Sequence, residues 1–104
     1  MAIKEVLQDE LESSLRMEEN YVRRLEQLPK GNLIKKRIKG REYWYLQIRD
    51  GQKVRFDYIK KPSAAMIIEY AKAKESRKQY RRLLAQVRLQ IKQIRKMLKH
   101  GKSV

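Results

Sequence analysis

Few side chains in this sequence have the types and spacing that acid–base, metal or nucleophilic chemistry requires. The chain has no cysteine and one histidine, His100, which follows a basic apolar-periodic stretch and precedes Gly101. A catalytic histidine needs an orienting partner and a metal site needs several ligands, so we interpret His100 as a helix C-terminal residue. The acids Glu42, Asp50 and Asp57 are scattered rather than gathered for a divalent metal. We therefore predict that the protein is not an enzyme and uses no cofactor or metal.

Tyrosines interleaved with cations are the residues with a clear chemical use. Aromatic rings on an open sheet stack on unpaired bases, while nearby cations contact the phosphate backbone. The predicted nucleic-acid-binding residues are Lys35, Lys36, Arg37, Tyr43, Tyr45, Lys53 and Arg55 in a sheet, and Arg81, Arg82, Arg88, Lys92 and Arg95 on a helix. The alternative interpretation is that tyrosines are good strand formers and that lysines keep a small sheet soluble.

The charge of the chain indicates the kind of partner. It has 27 Lys and Arg against 12 Asp and Glu, a formal net charge of +15. Residues 1–28 hold seven acids and four bases, so the positive charge lies in the rest of the chain. Such a balance favours nucleic acid, an anionic membrane surface or an acidic protein as partner. Because no apolar run approaches the roughly 20 residues that span a bilayer, we expect a cytoplasmic protein with no membrane partner.

A three-stranded antiparallel meander over residues 32–60 is predicted to position the tyrosines, because apolar and polar residues alternate there. Gly40 and Gly51 fit the left-handed position of three-residue hairpin loops, 38–40 and 49–51. The resulting register pairs Ile34 with Trp44, Leu46 with Val54, and Trp44 with Phe56. It places Ile34, Lys36, Ile38, Trp44, Leu46, Ile48, Val54, Phe56 and Tyr58 on an apolar face. It places Lys35, Arg37, Tyr43, Tyr45, Gln47, Lys53 and Arg55 on the other face.

Long helices are predicted on either side of the meander. The first, over residues 1–28, is acidic, ends before Pro29, and has an apolar stripe at Ile3, Leu7, Leu11, Leu15, Val22 and Leu25. The second, over residues 63–99, is basic, and its apolar residues alternate at steps of four and three: Met66, Tyr70, Ala73, Tyr80, Leu84, Val87, Ile91, Ile94 and Leu98. Only Arg77 interrupts this heptad seam.

We predict one α+β domain over residues 1–104, with a short tail at 100–104 and the two helices paired as an antiparallel coiled coil. One row beside the second helix's seam is basic throughout: Lys74, Arg81, Arg88, Arg95 and Lys102. Acids of the first helix are expected to pair with some of these cations, and the excess positive charge is expected to stay exposed. The seam could instead join two copies, so the protein is expected to be a monomer with a homodimer as the alternative.

A family resemblance agrees with this architecture. The stretch 28–59 resembles a module of small uncharacterised bacterial proteins, often from prophages and other mobile elements. In that module a helix leads to an LPxGxL segment, a lysine-rich strand, an aromatic strand ending in R-x-G, a strand closing on Tyr-Ile, and a basic helix. The matching residues are Leu28, Pro29, Gly31, Leu33, Tyr43, Tyr45, Leu46, Arg49, Gly51, Tyr58 and Ile59. The resemblance implies a phage or mobile-element setting and carries over no catalytic residue.

These observations favour two functions over two others. The first is a small nucleic-acid-binding protein that contacts RNA or single-stranded DNA without strong sequence preference. The second, in the setting that the resemblance implies, is an anti-CRISPR-type inhibitor that binds a host nucleoprotein such as a CRISPR effector and blocks its guide RNA or target DNA. A structural homodimer ranks third. A role at a membrane surface ranks last, because the basic helix has few aromatic residues.

Overall fold

The computed structural model describes residues 2–100 and confirms the predicted α+β class. Its elements are α1 (Ile3–Gln27), β1 (Asn32–Ile38), β2 (Arg41–Asp50), β3 (Lys53–Ile59) and α2 (Ala64–His100). Beyond His100 the predicted tail, with Lys102, lies outside the described residues. The chain divides into two compact units, one formed by residues 2–27 and 78–100 and the other by residues 28–77. Neither α1 nor α2 is long and apolar enough to cross a membrane.

The first unit is an antiparallel pair of helices formed by α1 and the C-terminal part of α2. The ring centroids of Tyr21 and Tyr80 are 6.1 Å apart, and Glu18 accepts a hydrogen bond from Arg88. The residues of α2 buried in this unit are Leu84, Val87, Ile91 and Ile94. The α1 residues Leu11, Leu15, Tyr21, Val22 and Leu25 pack against the cluster of Leu84, Val87 and Ile91. The heptad seam predicted for α2 in this unit is therefore confirmed, because the buried positions alternate at steps of four and three.

The packed side of α1 differs from the predicted apolar stripe. Ser14 is the most buried residue of α1, with 2% of its surface exposed, whereas Ile3 is 56% exposed. Glu18 and Tyr21 are half-buried, so the packed positions follow heptad spacing from Leu7 through Ser14 to Leu25. Heptad spacing keeps one side of a helix against its partner, and a serine is small enough to pack at such a position although it is polar.

The second unit contains the sheet, whose strand order is β1-β2-β3 with both pairs antiparallel. The predicted register is wrong in both hairpins. Ile34 pairs with Tyr45 rather than Trp44, and Leu46 pairs with Asp57 rather than Val54. Trp44 pairs with Ile59 rather than Phe56.

Two-residue loops cause the difference in register. The β1–β2 loop is Lys39-Gly40, and both residues have positive φ, 50° and 79°, as a type I′ turn requires. The β2–β3 loop is Gly51-Gln52, and Gly51 has φ 63° at the first central position, where type II′ turns take glycine. Such turns match the twist of the paired strands, so the chain uses them in place of longer bulged loops.

Because each register differs from its prediction by an odd number of residues, the middle strand is turned over relative to the outer strands. The outer-strand residues Ile34, Lys36, Ile38, Val54, Phe56 and Tyr58 share a face, as predicted, but with Tyr43 and Tyr45. Trp44, Leu46 and Ile48 share the opposite face with Lys35, Arg37, Lys53 and Arg55.

The N-terminal part of α2 is held within this unit by a cap and by an arginine. Ser63 Oγ accepts a hydrogen bond from the Met66 backbone N–H at 3.1 Å, which satisfies one free donor of the first turn. Arg77 donates to the Pro29 carbonyl at 2.6 Å and to Asn32 Oδ1 at 3.1 Å. The residue that interrupts the seam therefore anchors α2 to the turn that precedes β1.

Candidate nucleic-acid interface

A cluster of aromatic rings occupies one face of the sheet, and we call the surface of Lys36, Tyr43, Tyr45, Phe56 and Tyr58 the aromatic face. The Tyr58 ring lies between the two tyrosines of β2, with its centroid 5.7 Å from that of Tyr45 and 6.3 Å from that of Tyr43. The ring planes are tilted relative to that of Tyr58 by 58° and 56°, and both centroid distances lie within the range that aromatic pairs favour. These contacts restrain the rings before any ligand binds.

Lys36 contributes the cation of the aromatic face. Its Nζ atom lies 4.1 Å from the Phe56 ring centroid and 5.5 Å from that of Tyr45, both within the range of a cation–π interaction. The ammonium group covers one side of Phe56, so a base that stacked there would have to displace it. The Tyr58 ring has no such cover among the described cation–π contacts.

The aromatic face is open at its outer strands. Tyr58 is 53% exposed and Phe56 is 44% exposed, while Tyr43 and Tyr45 on the central strand are half-buried. The rest of this face carries Ile34, Ile38, Arg41, Gln47, Arg49 and Val54. Both arginines are exposed, so three cations surround a contiguous set of rings.

Most of the sheet cations that the sequence assigned to the tyrosine surface lie on the opposite face. The shared face expected for Lys35, Arg37, Lys53 and Arg55 with the tyrosines is therefore wrong. Lys35 forms an ion pair with Glu42 at 3.4 Å, and Arg55 forms one with Asp57 at 3.0 Å. Two of these four cations are therefore paired with acids of their own face. Of the predicted sheet residues, the structure brings together Lys36, Tyr43 and Tyr45.

Phe56, Tyr58, Arg41 and Arg49 are members of this face that the sequence reasoning did not assign to the site. The signal that could have found them is the pair of two-residue loops, Lys39-Gly40 and Gly51-Gln52, since loop length sets which residues of the next strand share a face.

The predicted helical cations lie in the first unit, on α2. Arg81, Arg82, Lys92 and Arg95 are exposed. Arg88 donates from Nε to Glu18 Oε2 at 3.1 Å, which is the ion pair between α1 and α2 found in the described chain. Up to His100, an acid of α1 therefore meets one member of the basic row, Arg88, and the members Lys74, Arg81 and Arg95 are exposed.

The aromatic face and the cations of α2 provide groups for non-covalent recognition. Within residues 2–100, no three His, Asp or Glu side chains gather closely enough to hold a metal ion. The aromatic face offers stacking and cation contacts, and α2 offers a dense row of cations. Flat rings can stack on the aromatic face, and phosphates can contact the cations of either surface.

Comparisons with known proteins give a family for this chain. Neither the curated proteins nor the solved structures yield a match. A family model described as Domain of unknown function (DUF6788) matches residues 2–67, which comprise α1, the whole sheet and the first turn of α2. The match covers well over half of the 104 residues. The chain therefore belongs to the DUF6788 family.

Proposed function

We propose that this protein binds single-stranded nucleic acid, RNA or DNA, through the aromatic face and without strong sequence preference. The observation that carries the proposal is the exposed ring cluster around Tyr58, with Lys36, Arg41 and Arg49 on the same face. Base–aromatic stacking tolerates any base, because every base has a flat face. The proposal places the protein in the cytoplasm, and the setting implied by its resemblance is a phage or another mobile element.

In the proposed complex, Tyr58 provides the first stacking surface and its neighbours Tyr43 and Tyr45 keep it in place. A base on Tyr58 brings its backbone close to the cations of the same face. Lys36 leaves the Phe56 ring to contact a phosphate, so a second base can stack on Phe56. The cation–π contact that the ammonium gives up is offset by its charge-assisted contact with phosphate.

Adjacent lysines on opposite faces of β1 give a matched test of this site. Lys36 belongs to the aromatic face and Lys35 to the opposite face, so Lys36→Gln and Lys35→Gln remove the same charge one residue apart. We expect Lys36→Gln to weaken binding of labelled oligouridylate and oligothymidylate by more than Lys35→Gln does, as measured by fluorescence anisotropy. Equal effects of the two variants would contradict the assignment of the face.

The ring is tested separately with Tyr58→Ala. We expect a loss of about 1–3 kcal/mol in binding free energy for the base it stacks, and Tyr58→Phe should retain most of the affinity because it keeps the ring. Circular dichroism of each variant checks that the fold is intact. A folded Tyr58→Ala variant that binds single strands as tightly as the parent protein would contradict the stacking proposal.

A further inference from the structure

The exposed cations of α2 in the first unit all lie on one side of the helix. Residues 78–100 contain eight Lys and Arg residues and no acid. At 3.6 residues per turn these eight fall within an arc of about 140°, beside the seam that packs against α1. We call them the cationic stripe: Lys78, Arg81, Arg82, Arg88, Lys92, Arg95, Lys96 and Lys99. All eight are exposed.

The other flank of the same helix, over residues 78–99, carries no Lys, Arg, Asp or Glu. It carries Gln79, Leu83, Gln86, Gln90, Gln93 and Met97. A helix surface that served only solubility would mix both signs of charge around the helix. On this flank of α2 there are four glutamines and no lysine or arginine, so the positive charge of the helix lies on one side.

The cationic stripe is mostly not neutralised within the described chain. Arg88 bonds to Glu18, and the other seven members have no acid within ion-pair distance among residues 2–100. The α1 residues that pack on the α2 core include Leu15 and Val22, which are apolar and supply no charge to the stripe. Acids of the described chain therefore do not offset the repulsion among these seven cations, and binding of an external anion would reduce it.

We propose that the cationic stripe binds the sugar-phosphate backbone of a double-stranded nucleic acid. From Lys78 to Lys99 the helix rises about 31 Å, close to one turn of a duplex. Over that length a B-form duplex presents about 18 phosphates, and a stacked single strand presents about half as many. Cations along one side of a continuous helix suit a stiff polyanion, whereas a flexible strand would lose entropy by straightening along the helix.

The composition of the stripe disfavours the other polyanionic partners. An acidic protein partner is normally held by buried aromatic or aliphatic anchors, and the stripe's side of α2 offers Leu89 as its only large apolar side chain. A membrane would require the apolar side of the helix, which is already packed against α1. Phosphates in a regular array need only cations and hydrogen-bond donors.

This site lies in a different unit from the aromatic face and goes beyond the function proposed above. The two proposals assign different ligands to the two sites, so either proposal can be refuted while the other stands. Loss of single-strand binding in Tyr58→Ala tests the aromatic face. Duplex binding by variants of the stripe tests the present proposal.

The experiment compares two triple variants of equal net charge. The stripe variant carries Lys92→Gln, Lys96→Gln and Lys99→Gln, and the control carries Lys60→Gln, Lys61→Gln and Lys72→Gln, all exposed lysines of the second unit. Affinity for a labelled mixed-sequence DNA duplex, and for the RNA duplex of the same sequence, is measured from about 50 to 200 mM salt.

We expect the slope of log affinity against log salt to become shallower by about 3 in the stripe variant, one unit for each phosphate contact removed. The control should keep most of the slope, and oligouridylate binding that depends on Tyr58 should persist in both. Equal losses in the two triple variants would overturn the proposal, since they would show diffuse attraction rather than a site.

A charge-neutral variant separates arrangement from total charge. Lys78→Gln with Gln79→Lys, combined with Lys92→Gln and Gln93→Lys, moves two lysines off the stripe without changing composition. We expect weaker duplex binding, and duplex binding equal to that of the parent protein would overturn the proposal. So would a parent protein that ignores both duplexes but binds polyglutamate or phosphatidylserine vesicles, which would assign the stripe to an acidic protein or to a membrane.

Discussion

Gly31 lies against the middle strand in a conformation that other residues adopt only with strain. Its φ is +93°, and an added Cβ would lie 2.7 Å from the Gln47 carbonyl oxygen and 3.1 Å from Ile48 Cγ1. The first of these atoms belongs to the paired backbone of β2 and has little freedom to move. The close approach of this turn to β2 therefore depends on the absence of a side chain.

We expect Gly31→Ala to destabilise the protein by clearly more than Gly40→Ala. Gly40 also has positive φ, but nothing lies within 4 Å of its added Cβ, so that change adds only the backbone strain of about 1–2 kcal/mol. Gly31→Ala adds a steric clash to the same strain. Urea denaturation of both variants measures the difference, and equal midpoints would show that the contact with β2 relaxes at little cost.

At the scale of elements, α2 depends on one charged residue in an otherwise apolar seam. Arg77 is half-buried and donates to the Pro29 and Gly31 carbonyls and to Asn32 Oδ1 at distances of 2.6, 3.4 and 3.1 Å. A guanidinium group can serve several acceptors at once because its five donors are arranged in a fixed fork. Arg77, the residue that interrupts the heptad pattern, thus holds α2 to the turn before β1 through these hydrogen bonds.

Arg77→Leu should destabilise the protein although it completes the apolar seam. The change leaves partly buried carbonyls without donors, and we expect a cost of about 2 kcal/mol. Arg82→Leu is the control, because Arg82 is exposed and makes no described side-chain hydrogen bond. Chemical denaturation compares the two variants with the parent chain. Higher stability of Arg77→Leu would mean that seam packing outweighs the lost hydrogen bonds.

Arg77→Lys distinguishes charge from geometry at this position. A lysine keeps the positive charge but presents a single ammonium group on a flexible stem, so it cannot reproduce the fork of donors. We expect its stability to lie between that of the parent protein and that of Arg77→Leu in the same denaturation series. Full retention of stability would assign the role of Arg77 to charge alone.

At the scale of the whole molecule, the net charge of +15 opposes folding and favours binding to anions. Three of the four described ion pairs join exposed side chains, and such pairs contribute little to stability. Unpaired repulsion is therefore the larger electrostatic effect on the free protein. Added salt screens it, since the Debye length falls from about 10 Å at 0.1 M to about 3 Å at 1 M.

Salt should therefore change stability and affinity in opposite directions. We expect the melting temperature of the free protein to rise between low and high sodium chloride, while affinity for nucleic acid falls over the same range. Thermal melts followed by circular dichroism and anisotropy titrations in the same buffers measure the two quantities. A melting temperature that falls with salt would show that attractive pairs, such as that of Arg88 with Glu18, dominate instead.

Long periodic patterns were the reliable part of the sequence. The order helix, three strands, helix follows from runs of heptad or alternating residues between Pro29, Gly40, Gly51 and Pro62. The buried positions of α2 agree with the predicted seam from Ala73 to Ile94, because that spacing is repeated often enough to exclude other faces. On α1 the heptad repeat includes the polar residues Ser14 and Glu18, so a prediction from apolar residues alone missed part of the side that packs against α2.

The membership of each sheet face required the tertiary structure. Whether a hairpin loop has two or three residues changes its local energy little, but it reverses every side chain of the next strand relative to its partner. Composition and periodicity therefore determined which elements form, that α2 packs by heptads, and that the chain is strongly basic. Only the folded sheet decided that Tyr43 and Tyr45 join Phe56, Tyr58 and Lys36, because that grouping depends on pairing between strands rather than on the pattern within any one of them.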